Sequence, residues 1–248
     1  TMRNSRGSEV QLSNIGAAIV SVKFADRDGN IEDVALGYKE PTSYIGDGAA
    51  SGKSVGRVAG RIARGHMVIE GVEYRLAVNN GPNHLHGGSK GFANRYWEGR
   101  VETNRVVFSY VAEDMEQGYP GELIVEAIYD FDDEDNLEIT YVAKSNKTTV
   151  VNLTNHLYWN LHGEASGKSI LDHELKLNSS QVLEMDTVQI PTGKLLDVKG
   201  TALDFTEWRR FGDEIDSEFN NIRTFRGYDH CFAVDGYKKN ILKEVGEL

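Results

Sequence analysis

Apolar and polar residues nearly alternate in the stretch Val150-Val151-Asn152-Leu153-Thr154-Asn155-His156-Leu157-Tyr158-Trp159-Asn160-Leu161. Its many β-branched and aromatic residues predict one or two β-strands. Asparagine is uncommon in strands because its side chain competes with the backbone for hydrogen bonds, yet this stretch holds three. His156 is the one side chain there whose charge can change near neutral pH. The stretch therefore predicts polar side chains held in a site, with a core histidine as the alternative for His156.

Short strand-like runs recur along the rest of the chain, separated by turn signals at intervals of about 8–12 residues. The clearest runs cover residues 101–110, 123–131 and 137–142, and residues 206–215 hold the one candidate for a sizeable helix. No linker rich in proline, glycine or serine divides the chain. This order of elements predicts an all-β sandwich, built as a single domain over residues 1–248.

Composition restricts the partners and the compartment. The chain of 248 residues carries a formal net charge of −11, which repels the phosphates of nucleic acids and acidic membranes. No apolar run approaches the length of about 18 residues that a membrane span requires, and no signal peptide is visible. The single cysteine, Cys231, excludes an internal disulfide. We expect a protein without nucleic-acid or membrane partners in the cytoplasm, with a periplasmic or secreted location as the alternative.

Metal and nucleophile chemistry have little support in the sequence. His84 and His86 would share a face in a strand and could form half of a metal site. No third ligand stands at a matching spacing, so we expect no metal. The serine nucleophile motif Gly-x-Ser-x-Gly is absent, and residues 56–61 lack the Lys-Ser/Thr ending of a phosphate loop.

The remaining polar side chains suit a sugar. His86, His156, Arg61 and Asp229 offer donors and acceptors for hydroxyl groups, and aromatic rings such as Tyr158 offer a surface for the C–H faces of a pyranose. The alternatives are ordinary core packing for the aromatic residues and a structural ion pair for Arg61.

Five blocks in sequence order are similar to aldose 1-epimerase, the galactose mutarotase family. Together they span most of the chain, and their order is more specific than any one of them. They are Gly56-Arg57-Val58-Ala59-Gly60-Arg61-Ile62-Ala63-Arg64-Gly65, Asn79-Asn80-Gly81-Pro82-Asn83-His84-Leu85-His86-Gly87-Gly88, Gly118-Tyr119-Pro120-Gly121, Asn152-Leu153-Thr154-Asn155-His156 and Gly227-Tyr228-Asp229-His230.

The resemblance implies a β-supersandwich that interconverts the α and β anomers of free aldoses such as galactose or glucose. It implies that His156 is the catalytic acid and that His86 assists catalysis by binding and orienting the sugar. Arg61, Asp229 and Asn80 would hold hydroxyl groups. No cofactor or metal is implied.

Two features depart from the family pattern. Gly60 stands where the family often has asparagine before the arginine. The family's catalytic base is a glutamate well after the Tyr-Asp-His block, and neither Glu244 nor Glu247 matches its surroundings. We therefore expect a domain incomplete at both ends, which lacks its C-terminal strands and takes the glutamate from a missing C-terminal segment. This chain alone would then be weak or inactive.

Three other readings stay open. A non-catalytic sugar-binding protein on the same fold would bind galactose without exchanging its anomers. A relative acting on hexose-6-phosphates would need clustered arginines, for which Arg57, Arg61, Arg64 and Arg95 are available. If the chain is a structural or interaction module, substitution of either His86 or His156 would leave every measurable activity unchanged.

Overall fold

β-Strands dominate the computed structural model, which describes residues 1–103 and 105–248. The chain divides into two units, Thr1–Gly167 and Lys168–Leu248. The prediction of a single domain over residues 1–248 stays a prediction. None of the helices in the described ranges is both long enough and apolar enough to cross a membrane.

The first unit is built from fourteen strands among the described residues, joined by turns and short 3₁₀ segments. The strands are β1 (Met2–Arg3), β2 (Glu9–Ser13), β3 (Ala18–Ala25), β4 (Ile31–Asp33), β5 (Ser54–Val55), β6 (Arg61–Ile62), β7 (His66–Ile69), β8 (Val72–Arg75), β9 (His84–Leu85), β10 (Glu98–Glu102), β11 (Arg105–Ala112), β12 (Leu123–Phe131), β13 (Leu137–Ser145) and β14 (Thr154–Asn155). The 3₁₀ segments are Pro41–Tyr44, Ala63–Gly65, Phe92–Asn94, Glu116–Gly118 and Glu164–Ser166.

Two four-stranded antiparallel sheets, β1-β2-β3-β4 and β10-β11-β12-β13, share one hydrophobic core. Val10 and Ile19 come from the first sheet, and Phe108, Val125 and Tyr129 come from the second, each at most 5% exposed. Burying a side chain of this size stabilises the fold by roughly 1.5–3 kcal/mol. The two sheets therefore pack face to face, and the predicted all-β sandwich is confirmed in this unit.

Three two-stranded sheets, β14-β5, β6-β9 and β7-β8, complete the first unit. The pairs β14-β5 and β6-β9 carry residues of the sequence blocks described above. Each of these two ladders is only two residue pairs long, so the segments that follow them depend on loop hydrogen bonds for their position.

The second unit contains two three-stranded antiparallel sheets, β18-β15-β20 and β17-β16-β19, and a core around Val182, Leu203 and Ile222. Its elements are β15 (Glu174–Leu177), β16 (Gln181–Met185), β17 (Pro191–Asp197), β18 (Arg209–Arg210), the 3₁₀ segments Phe211–Asp213 and Phe219–Asn221, α1 (Ile222–Phe225), β19 (Phe232–Ala233) and β20 (Gly246–Glu247).

Two predicted elements were wrong. Residues 101–110 do not form one strand, because β10 and β11 are antiparallel neighbours with Val101 opposite Val106. Residues 206–215 form β18 and a 3₁₀ segment instead of a helix. The backbone N–H groups of Phe211 and Gly212 donate to the carbonyls of His173 and Leu171 at 3.1 and 2.7 Å, so long-range hydrogen bonds replace those of a helix.

Candidate functional site

His156 is held by its backbone between two residues of the segment that leads into β5. Asn155 pairs with Ser54 in the β14-β5 ladder. Beyond it, the N–H of His156 donates to the Lys53 carbonyl at 2.8 Å, and the N–H of Gly52 donates to the His156 carbonyl at 2.9 Å. Only Thr154–Asn155 of the asparagine-rich stretch is strand, so the prediction of strands there is confirmed for one short element. His156 therefore sits in a loop whose backbone is fixed on both sides.

His86 takes its position from Gly60. It follows β9 directly and has a left-handed backbone with φ of 51°. The backbone N–H of His86 donates to the Gly60 carbonyl at 3.1 Å, and the Gly60 N–H donates to Nδ1 of the His86 ring at 3.1 Å. Because Nδ1 accepts this bond, the neutral ring carries its proton on Nε2. His86 is thereby prepared as a hydrogen-bond donor.

Three rings meet at this point of the first unit. The centroids of the His86 and His156 rings lie 5.3 Å apart, edge to face at 84°. The Tyr158 ring lies 5.1 Å from the His156 ring at a tilt of 56°. Both histidines are half-buried, whereas Tyr158 is 44% exposed. Within the described residues, neither ring nitrogen of His156 hydrogen-bonds a protein group. The His156 ring therefore has hydrogen-bonding capacity to offer a ligand.

Arg61 and Asn80 are joined by a side-chain hydrogen bond next to β9, the strand that leads to His86. Arg61 lies in β6, where it pairs with Leu85, the residue before His86. Its Nε donates to the Asn80 side-chain oxygen at 3.0 Å, which fixes the plane of the guanidinium. Among the residues that the structure describes, the two Nη groups of Arg61 make no hydrogen bond. Their donors can therefore serve a ligand.

His84 is a core histidine. It is 0% exposed, with Nδ1 2.6 Å from the Ala77 carbonyl and Nε2 2.6 Å from the Tyr119 hydroxyl. Burial lowers the pKa of His84, which keeps its ring neutral. Both ring nitrogens of His84 are committed to protein groups, so neither is available to a ligand.

Asp229 belongs to the second unit. It is exposed, and its carboxylate accepts a hydrogen bond from the Gln189 side-chain amide. Tyr228, which precedes it, packs edge-on to Phe205 with centroids 5.1 Å apart. The ring of His230 contacts the Asn220 carbonyl through Nε2 at 2.8 Å, and burial lowers its pKa. The predicted site residues His86, His156, Arg61 and Asn80 are thus brought together in Thr1–Gly167, while Asp229 is placed only within Lys168–Leu248.

Sequence reasoning missed a buried ion pair under this site. The Lys53 ammonium lies 3.2 Å from the Asp47 carboxylate, and their side chains are 0% and 2% exposed. The one signal in the sequence is a lysine set among small and apolar residues, in Ser51-Gly52-Lys53-Ser54-Val55. Charged residues are almost never fully buried unless they are paired.

Comparison with known proteins assigns the class of this arrangement. The family profile described as aldose 1-epimerase matches residues 1–247, and the chain belongs to that family. The resemblance seen in the five sequence blocks is thereby confirmed.

Individual relatives lie within the same family. The galactose mutarotase of Bos taurus is 43% identical over 230 residues, which is 93% of this chain and 65% of the relative. The aldose 1-epimerase of Escherichia coli K12 is 35% identical over 94% of this chain and 67% of its own length. The chain therefore spans about two thirds of the curated relatives that it matches.

A solved structure supports the fold. The galactose 1-epimerase of Lactobacillus acidophilus NCFM superposes with a TM-score of 0.83 at 32% identity, covering 95% of this chain and 69% of that protein. The predicted galactose mutarotase-like β fold is confirmed.

Proposed function

We propose that the protein to which this chain belongs interconverts the α and β anomers of free aldoses such as galactose or glucose. The observation that carries the proposal is the edge-to-face pair of His86 and His156, with centroids 5.3 Å apart, next to the β6-β9 ladder that carries Arg61. The names of the Bos taurus and Escherichia coli relatives support the same reaction.

Anomer exchange requires one proton to reach the ring oxygen and one to leave the anomeric hydroxyl. In the proposed reaction the His156 imidazolium protonates the ring oxygen as its bond to C1 breaks, and a base accepts the hydroxyl proton as the C1 carbonyl forms. Rotation about C1–C2 and the reverse transfers close the ring with the opposite configuration. General acid catalysis by a histidine typically contributes about 10²–10⁴-fold.

The remaining groups would bind and orient the sugar. His86 would donate from Nε2, the nitrogen that its bond to Gly60 leaves protonated. Arg61 and Asn80 would hold ring hydroxyls with their donors and acceptors. Asp229 would bind further hydroxyls, as the family resemblance implies.

The base is proposed to be a glutamate outside residues 1–248, supplied by a C-terminal segment. The proposal is supported by the lack of a matching glutamate motif around Glu244 and Glu247. It predicts that this chain alone binds galactose but accelerates anomer exchange weakly. A cytoplasmic location is proposed because the exposed free thiol of Cys231 suits a reducing compartment.

The test is polarimetry on freshly dissolved α-D-galactose, with binding measured in parallel by calorimetry. We expect His156→Asn to remove the catalysed rate while galactose still binds, and Arg61→Ala to weaken binding. His66→Asn, in β7, is the matched control and should change neither quantity. If galactose binds but the rate never exceeds the buffer rate, even with the C-terminal segment present, the protein is a sugar-binding relative. If no aldose binds at all, the proposal fails.

A further inference from the structure

A fully buried charge pair lies behind the loop that carries the proposed catalytic acid. Lys53 is 0% exposed, and its ammonium donates to the Tyr44 carbonyl at 2.5 Å and lies 3.2 Å from the Asp47 carboxylate. Placing two charges in the interior carries a large desolvation penalty, which attraction offsets only when the geometry is good. Such a pair is weak evidence for stability, so its position in the fold needs another explanation.

Asp47 organises the loop that runs to Lys53. Its carboxylate accepts hydrogen bonds from the backbone N–H groups of Ala49 and Ser51 at 2.7 and 3.1 Å, and from the Tyr38 hydroxyl at 2.9 Å. Burial, the largest single influence, raises the pKa of Asp47. The bonds from Tyr38, Ala49 and Lys53 together outweigh burial and hold the pKa below its ordinary value. The carboxylate is therefore charged at neutral pH, and it fixes residues 47–53.

The end of this loop holds the backbone of His156 in place. Gly52 and Lys53 bond the His156 backbone on both sides, and the Asn155 side-chain amide donates to the Gly52 carbonyl at 2.8 Å. The loop also lies close against β3, where the Ile19 N–H donates to the Gly52 carbonyl at 2.8 Å and a Cβ at Gly52 would lie 1.9 Å from the Ile19 carbonyl oxygen. A shift of Lys53 therefore moves the backbone of His156.

We propose that Asp47 and Lys53 are positioning residues that set the place of the His156 imidazole relative to His86. The charged pair has one favourable geometry, whereas an apolar pair of similar volume could pack in several. The two residues act through the loop and do not touch the sugar. The catalytic consequence rests on the proposed function, but the structural consequence does not.

The experiment compares Lys53→Met and Asp47→Asn with the double variant and the wild-type chain. Nitrogen-15 spectra of the imidazole groups report the environment of His156, which the His156→Asn variant assigns. Polarimetry with the C-terminal segment present gives kcat and KM for galactose. We expect the His156 signals to shift or broaden and kcat to fall by up to about 100-fold, as displacement of a reacting group by about 1 Å can cause. We expect KM to change by less than threefold.

Val125→Ala is the matched control, since Val125 is 0% exposed and pairs with Tyr110 and Ala143 of the neighbouring strands β11 and β13. It should lower stability without moving the His156 signals or the ratio of kcat to KM. The double variant removes both charges, so it reports on position even if a single variant leaves an unpaired charge and fails to fold. Unchanged His156 signals in the folded double variant would overturn the inference. If the wild-type chain and all variants lack activity while the His156 signals of the variants shift, the proposed function is refuted and the positioning role of Asp47 and Lys53 is kept.

Discussion

Gly87→Ala should damage the histidine cluster through a single added methyl group. Gly87 follows His86 directly and has φ of 81°. A Cβ at this position would lie 1.7 Å from the Gly56 carbonyl oxygen and 2.6 Å from the Arg57 nitrogen. Both neighbours are backbone atoms, so the clash can be relieved only by separating the two segments. The turn that holds His86 would have to move.

The magnitude can be separated into two contributions. A left-handed backbone costs a residue with a Cβ roughly 1–2 kcal/mol. Overpacking in a buried site typically adds about 1–3 kcal/mol, and occasionally more. Gly71→Ala isolates the first contribution, because Gly71 also has φ of 81° but its Cβ would meet nothing within 4 Å. We expect the free energy of unfolding to fall by roughly 2–5 kcal/mol in Gly87→Ala and by roughly 1–2 kcal/mol in Gly71→Ala.

The assay is urea unfolding followed by tryptophan fluorescence and circular dichroism, with galactose binding measured on the same samples. Gly87→Ala should also weaken galactose binding at least tenfold, since it displaces His86, and Gly71→Ala should leave binding unchanged. Equal destabilisation in the two variants would show that Gly56 and Gly87 are not in tight contact. The account of how His86 is held would then be wrong.

Three further outcomes follow from the described contacts. Burial lowers the pKa of His84, so the unfolded chain takes up the proton at a higher pH than the folded chain does. The free energy of unfolding should therefore fall as pH drops from about 7 towards 5. His84→Gln should flatten that slope in urea titrations. Leu123→Ala, at a site 1% exposed, should cost about 2–5 kcal/mol in the same assay, against about 0.5 kcal/mol for Ile124→Ala on the exposed face. Tyr129→Phe removes the hydroxyl that donates to the Ala17 carbonyl at 2.5 Å and should lower the free energy of unfolding by about 1–3 kcal/mol.

Strands with one buried face were predictable from the sequence. Residues 123–131 follow the alternating pattern closely, because β12 buries every second side chain from Leu123 to Tyr129 against the core. The pattern failed in residues 150–161, where most of the chain runs as a loop held by isolated bridges such as Val58 to Asn152. In this loop, successive side chains face different neighbours, so polar and apolar residues alternate without a strand. The sequence pattern alone cannot distinguish such a loop from a strand.

The residues of the candidate site were predictable from the family blocks. The buried ion pair that lies behind the His156 loop was not. Residue types identified His156, His86 and Arg61, and the structure brings these three together. His84 and His86 do not share a strand face, because the strand ends at Leu85. His86 has a left-handed backbone, so the alternation of side chains along a strand does not extend to it. The pairing of Lys53 with Asp47 depends on the burial of both, which only the folded chain defines.

The two histidines of the cluster are held in different ways, and the difference suits the proposed reaction. The Gly60 N–H fixes Nδ1 of His86 as an acceptor, so the neutral ring offers one defined donor. His156 is fixed through its backbone, while neither of its ring nitrogens hydrogen-bonds a group within residues 1–103 and 105–248. Its proton can therefore leave and return without breaking a protein hydrogen bond. A sugar that must receive a proton at the ring oxygen needs one group that stays protonated to orient it and one that exchanges. Backbone attachment of His156, with the buried pair behind it, gives an exchangeable imidazole a fixed position.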